Sequence, residues 1–368
     1  MRNRLHALCP YFAMFPETFV RKHVEAHTTK QDLVFDCFSG RGTTLLESLL
    51  LGRRAASIDI NPVAYCISGA KAHVPALVTV SRALDELERR YDRHGWISLD
   101  TEAASLPAFF RRAFDKQTLR QLLFLRNSLA WRTSSIDRFV AALTIGTLHG
   151  EQGKPMKYFS NQMPRTISTK PAYSLRYWKE HDLWPERHNV FEVLRDRAEF
   201  RLNGDLPEDK GSTRLGDARR SASRFPDFRS SVRLCLTSPP YYNVTSYEED
   251  QWLRLWFLGH QARAAKGVIT RDDQHRKQKA YVEFLTAVWH GVAPLMKKGS
   301  VLVCRLGARG VTRTVMEDTL IETLKPAFPK LKQLEAKSVS TLKNRQTETF
   351  LPGTKGCRFE VDFVFATS

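Results

Sequence analysis

Two short stretches combine residue types whose spacing suits chemistry. FDCFSGRGTT (residues 35–44) sets Gly40 and Gly42 in a turn between an apolar run and a helix-forming run. Glycine there allows a tight bend and close backbone approach by a ligand, and a helix start offers free N–H groups. The stretch lacks the third glycine of a dinucleotide fingerprint and the lysine of a phosphate-binding loop, so pyrophosphate and nucleoside triphosphate both lose ground. Asp59 ends the next apolar run, where a carboxylate can accept from both hydroxyls of a ribose. On spacing alone, a nucleoside-containing cofactor competes with a structural turn followed by a surface carboxylate. The second stretch, TSPPYYNVTSY (237–247), directly follows the apolar run 232–236. Pro239 and Pro240 lack N–H groups, so the rigid turn leaves carbonyls as unpaired acceptors. The amino group of a nucleobase needs such acceptors, because holding its two N–H bonds favours pyramidal geometry as a methyl electrophile approaches. Tyr241 would stack on the flipped base. A plain proline turn with a core tyrosine is the competing reading.

The elements that must position these stretches follow from the flanking patterns. Residues 33–38 form a short apolar run rich in strand formers, 43–51 an amphipathic helical stretch closed by Gly52, and 55–60 a second apolar run ending in Asp59 and Asn61-Pro62. Strand, helix, strand in that order is a βαβ unit and predicts a parallel sheet. From about residue 80 to 207 the pattern changes to helical periodicity (81–95, 119–130, 136–150) and then to a polar, basic, aromatic stretch. Strand-like runs resume at 213–215, 232–237, 300–306 and 359–365, with a helical 281–296 between. The sheet is thus begun in residues 1–79, interrupted by an insertion at 80–212 and finished in 213–368. The run 266–279, KGVITRDDQHRKQK, reads as a charged surface loop.

The 368 residues carry 57 Lys plus Arg against 39 Asp plus Glu, a net charge of +18, which points to a polyanionic partner. The six cysteines stand singly, without Cys-x-x-Cys pairs, and read as reduced thiols. Pro10 and Pro16 cut the N-terminal stretch before a signal-like run develops, and no segment reaches the roughly 18 apolar residues of a membrane span. A cytoplasmic protein is expected. His6, His23, His27, His149, His181, His188, His260 and His290 show no shared spacing with acids and read as core or surface residues, so no metal is expected.

Taken together, FDCFSGRGTT and TSPPY resemble the cofactor-binding and catalytic motifs of the amino-group DNA methyltransferases, the cytosine-N(4) and adenine-N(6) enzymes whose cofactor motif precedes the catalytic one. CPYFAMFP (9–16) is similar to the segment that in this family packs over the methionine end of the cofactor. RLGDAR (214–219) resembles the third-strand motif whose acid, here Asp217, contacts the adenine. The resemblance implies an α/β, Rossmann-like, seven-stranded methyltransferase sheet carrying a largely helical insertion, with S-adenosylmethionine as cofactor. It assigns Phe15 and Pro16 to the cap over the methionine end, and Phe38, Gly40, Gly42, Thr43 and Thr44 to the cofactor loop. Asp36 would orient that loop and the sulfonium end, Asp59 would serve the ribose, and Asn61 would be a further cofactor-binding residue. Ser238, Pro239, Pro240 and Tyr241 would form the target-base site.

Ser238, where adenine enzymes more often have Asp, favours cytosine-N(4) as the target; a carbon-5 enzyme would need a Pro-Cys turn. Cys37 stands where the family more often has Pro, and Arg41 where it has a small residue. Arg41 near a cationic sulfonium would weaken binding unless it points outward. Adenine-N(6) methylation, an RNA substrate and an inactive DNA-recognition subunit are therefore the alternatives. Duplex DNA is the expected partner, and residues 158–181 mix Asn161, Gln162, Arg165, Lys170, Arg176 and Lys179 with Tyr173, Tyr177 and Trp178, types that read bases, hold phosphates and stack. An ordinary loop packed by its aromatics is the alternative. The resemblance further implies a restriction-modification or other defence setting, with a restriction endonuclease or defence protein encoded separately.

Overall fold

The computed structural model describes residues 3–11, 16–150, 152, 157–164, 170–242, 249, 251–264, 277–307, 311–335, 338–341 and 359–367. Phe15, Arg165 and most of the 266–279 run lie outside them. The chain divides into two units, one of residues 13–68, 207–245 and 269–368, the other of 1–12, 69–206 and 246–268.

The first unit is built on a mixed sheet. Its strands are β1 (Leu33–Asp36), β2 (Arg54–Asp59), β3 (Ser212–Leu215), β4 (Val232–Thr237), β5 (Met296–Gly307), β6 (Lys332–Gln333), β7 (Ser338–Thr341) and β8 (Phe359–Thr367). They lie in the order β3-β2-β1-β4-β5-β8-β6, with β7 also paired to β8. The first five are mutually parallel, and β8 runs antiparallel to β5. β6 and β7 both pair antiparallel with the edge of β8 that β5 leaves open, so they share one position and the sheet has seven. Seven positions with a parallel first part agree with the expected Rossmann-like sheet, the last position being split between β6 and β7.

Alternation along the strands, interrupted in β4 by a register shift between Val232 and Leu234, sends side chains to both faces. Leu33, Phe35, Cys235, Leu302, Cys304, Val361 and Phe363 join the core on one face, beneath the helices Gln278–Val292 and Arg313–Leu324. Val34, Leu234, Leu236, Val301, Val303 and Val364 point to the other, where α1 (Glu17–His27) contributes Val20 and Val24. Such doubly buried parallel strands read as continuous apolar runs, which is how they appear in the sequence.

The second unit is helical. Leu77–Arg93, Lys116–Ser128 and Ser135–Thr147 coincide with the three periodic stretches, and Trp96–Ser105, Ala108–Ala113, Pro171–Glu180 and Val190–Leu202 complete the run. Side-chain caps start several of them: Asp115 accepts from the N–H groups of Gln117 and Thr118, and Ser134 from that of Asp137. Ser135–Thr147 is buried along most of its length, as befits a central helix. The short helix Trp252–Phe257 belongs here too, although it follows the TSPPY stretch in sequence.

Candidate active site

The site is built at the carboxyl ends of β1, β2, β3 and β4, all within the sheet unit. β1 ends at Asp36, and the loop that follows turns through Gly40 and Gly42, with φ of 49° and 73°, before α2 (Thr43–Leu50) begins. Those left-handed values are what glycine supplies at no steric cost. The Gly42 N–H donates to the Ser39 carbonyl at 2.7 Å and closes the turn. Asp36 is buried, and its Oδ1 accepts from the Phe38 N–H at 3.0 Å and the Thr237 hydroxyl at 2.7 Å. Burial pushes the Asp36 carboxyl up to about 6, against the lowering effect of the Thr237 and Phe38 hydrogen bonds.

Asp59, the last residue of β2, grips the same loop. Its Oδ2 accepts from the Gly40 N–H at 2.8 Å and its Oδ1 from the Asn61 N–H at 2.9 Å. Burial lifts it, too, to about 6. Asn61 is itself committed, accepting from the Val63 N–H at 2.9 Å to start the helix Pro62–Ala72. Asp217, just beyond β3, takes a fork from Arg219 at 2.6 Å; burial works to raise it, but the Arg219 hydrogen bonds hold it below its ordinary value. Thr44 donates to the Leu236 carbonyl at 3.4 Å, tying the loop helix to β4 as Thr237 ties β1 to it. Phe38 packs against the core with its ring 6.0 Å from Phe284, and Pro16 caps α1.

Arg41 does not face a cofactor unpaired. It is buried, donates through Nη2 to Glu17 of α1 at 2.8 Å, and through Nε to the Thr43 hydroxyl at 3.1 Å. Its charge is met by a carboxylate, which removes the reason for reading the loop as damaged.

On β4 the strand ends at Thr237 and the turn Ser238-Pro239-Pro240-Tyr241 follows. Tyr241 is buried and its hydroxyl donates to Glu360 of β8 at 2.7 Å. The Pro240 carbonyl accepts from the Tyr281 hydroxyl at 3.0 Å, so this carbonyl is partnered, contrary to the expectation of free acceptors throughout the turn. A rigid carbonyl beside a tyrosine on the packed helix Gln278–Val292 is readily claimed by it. Tyr242 stands 5.5 Å from the Tyr281 ring and lines a mostly apolar recess with Leu285, Leu306 and Met316. Tyr242, Tyr281 and Glu360 were not foreseen. The doubled tyrosine of TSPPYY was the one visible signal, whereas nothing in spacing links Tyr241 to a glutamate over a hundred residues later.

The donor set fits S-adenosylmethionine. Both oxygens of Asp59 already hold backbone N–H groups yet keep lone pairs for ribose hydroxyls, and the glycine turn presents no Cβ. The bond from Thr237 to Asp36 ties the glycine loop to the Ser-Pro-Pro-Tyr turn. Residues 2–68 match the DNA methylase family. That match takes in α1, the glycine turn and Asp59, and it supports S-adenosylmethionine as the cofactor. No curated protein matches the sequence. Among solved structures, the rRNA methyltransferase aviRa from Streptomyces viridochromogenes is similar at a TM-score of 0.37 and 12% identity, covering 99% of this chain and 91% of that one. An S-adenosylmethionine-dependent methyltransferase from Methanosarcina mazei is similar at 0.36 and 9%, covering 97% and 99%.

In the helical unit, the residues read as DNA contacts separate into two groups. Asn161 is turned inward, its amide donating to the carbonyls of Arg112 at 3.0 Å and Leu183 at 3.2 Å, which leaves it a structural rather than a base-reading part. Trp178 is fully buried, its indole donating to the Gln162 carbonyl. By contrast Lys170, Tyr173, Arg176 and Lys179 are exposed on and beside the helix Pro171–Glu180, with the Arg176 guanidinium 5.6 Å from the Tyr173 ring. No helix among the described residues is long and apolar enough to cross a membrane.

Proposed function

We propose that the protein is a site-specific DNA methyltransferase that modifies the exocyclic amino group of cytosine (N(4)) in duplex DNA. The observation that carries this reading is the 2.7 Å bond from Thr237 to Asp36, which joins the Ser-Pro-Pro-Tyr turn to the glycine turn of the cofactor loop. S-adenosylmethionine supplies an electrophilic methyl group on a sulfonium. Asp59 accepts the ribose hydroxyls and Asp217 the adenine amino group. Ser238 and the Pro239 carbonyl hold the N–H bonds of the target amino group, so that its lone pair leaves conjugation and points at the methyl. The buried ring of Tyr241, fixed through Glu360, forms one wall for the flipped base.

Ser238 supports cytosine over adenine, since an adenine enzyme more often has a carboxylate there. The exposed Lys170, Tyr173, Arg176 and Lys179, together with the net charge of +18, support a phosphate backbone as the partner. A restriction-modification or related defence role, with the nuclease encoded separately, completes the proposal. The test is to express the protein in a host without DNA methylation and analyse that genome by single-molecule sequencing and nucleoside mass spectrometry. N(4)-methylcytosine at one short motif, lost with Tyr241→Ala, is the expected result; N(6)-methyladenine would reassign the base, and unmodified DNA from cells holding soluble protein would overturn the reading.

A further inference from the structure

A second cluster of chemically able side chains lies in the sheet unit, away from the glycine and proline turns. On α1, His23 and His27 stand four residues apart, on one helix face, with their rings stacked at 5.7 Å between centroids and 15° between planes. The segment just after β6 brings Glu335 to them, its Oε1 3.5 Å from His27 Nε2. One ligand atom from each of the three residues lies within 4.8 Å of the others. His23 is 3% exposed and its Nδ1 is buried with no hydrogen-bond partner; His27 Nε2 is likewise buried and makes no hydrogen bond. Buried polar atoms left without a partner are rare and call for an explanation.

We propose that His23, His27 and Glu335 form a binding site for a divalent transition-metal ion of the zinc class, independent of the methyl-transfer reading. Two imidazoles and one carboxylate are a zinc donor set, whereas calcium and magnesium take oxygen shells. Bonds of about 2.0–2.2 Å need the ligand atoms drawn somewhat closer than they stand, which side-chain torsions supply. Burial disfavours the charged form of both imidazoles, pushing His23 down to about 4 and lowering His27, with Glu335 opposing and Lys22 assisting in both cases. Three protein ligands leave a fourth position to water. Because α1 also carries Glu17, the partner of Arg41, the ion would clamp to the sheet edge the same helix that braces the cofactor loop.

The test uses the full-length protein, stripped with chelator and titrated with zinc chloride by calorimetry, then with cobalt(II) by absorption. One equivalent of zinc is expected, with cobalt d–d bands free of thiolate charge transfer. His27→Gln and Glu335→Gln each weaken binding at least about 100-fold, more than the loss of an outer-shell partner would. His181→Gln, at an exposed histidine, leaves uptake unchanged. Glu335→Gln is isosteric on a partly exposed side chain, and its metal-free melting curve should overlay that of the parent, separating lost binding from lost folding. Folded parent protein that takes up no stoichiometric zinc, or variants that bind as tightly as the parent, would overturn the proposal whatever the outcome for DNA methylation.

Discussion

Thr237 donates its hydroxyl to Asp36 at 2.7 Å across a sequence separation of 201 residues, so the last residue of β4 is fastened to the last residue of β1. Thr237→Val keeps the side-chain shape and removes the donor, leaving a buried carboxylate with less to hold it. A loss of about 1–3 kcal/mol of stability is expected, together with weaker cofactor binding and an Asp36 carboxyl lifted further. Thermal melts and titration with S-adenosylhomocysteine measure both; Thr237→Ser should restore them.

The pH dependence of cofactor binding follows from Asp59 and Asp36, each near 6. In the proposed reading the ionised Asp59 is the stronger acceptor for the ribose hydroxyls, so affinity for S-adenosylhomocysteine should be flat above about pH 7 and fall by up to about tenfold per pH unit per group below 6. Asp59→Asn should bind more weakly and lose its share of that slope. Stability has the opposite sense. Since both carboxyls titrate higher in the folded state, the folded protein holds protons the unfolded chain has released between about pH 4 and 6. Their contribution therefore declines as pH rises through that window.

Glu17 and Arg41 form an ion pair in which the cation is buried and the acid partly exposed. Glu17→Gln removes the carboxylate from a buried guanidinium and should cost about 1–2 kcal/mol, less than a fully buried pair because solvent reaches the carboxylate. A double-mutant cycle with Arg41→Gln, read by chemical denaturation, isolates the pair; coupling near zero would show that Arg41 is held by Thr43 and packing alone.

Tyr241→Phe deletes the bond to Glu360 while preserving the ring. About 1 kcal/mol of stability should be lost, with methyl transfer kept within about tenfold, whereas Tyr241→Ala abolishes transfer. Equal loss in both variants would move the ring's role to its hydroxyl.

Gly291, on the helix Gln278–Val292, lies against the turn that bears Asp217. A Cβ there would sit 2.4 Å from the Arg219 carbonyl oxygen and 2.7 Å from its carbon, both backbone atoms that cannot swing away. Gly291→Ala should destabilise by about 1–3 kcal/mol and weaken cofactor binding through displacement of Asp217, seen in melts and in the same titration.

The sequence revealed the parallel strands because strands buried on both faces are short continuous apolar runs, and it revealed the cofactor turn because Gly40 and Gly42 mark the start of α2. β6 and β7 escaped notice: Lys332–Gln333 is two polar residues, and Ser338–Thr341 alternates too briefly to give a period. The grouping of residues 1–12 and 246–268 with the helical unit was equally hidden, since periodicity reports a helix but not which core it joins. Residue types named the acids and the proline turn, but the partners came from other elements of the fold. Arg41 meets Glu17, Tyr241 meets Glu360, and His23 and His27 meet Glu335, pairings that only folding creates.

The insertion between β2 and β3 also sets an order of events during synthesis. Leu33 of β1 pairs with Val232 of β4, so a ribosome adding about 5–20 residues per second completes the second partner roughly 10–40 s after the first. During that interval β1 can pair with β2 alone, and its other edge, which Leu33, Val34 and Phe35 will later share with β4, presents an open row of backbone donors and acceptors. Nascent chains are thus most exposed to mispairing while the helical segment is being made, and the glycine turn and the Ser-Pro-Pro-Tyr turn can meet only once β4 has followed it.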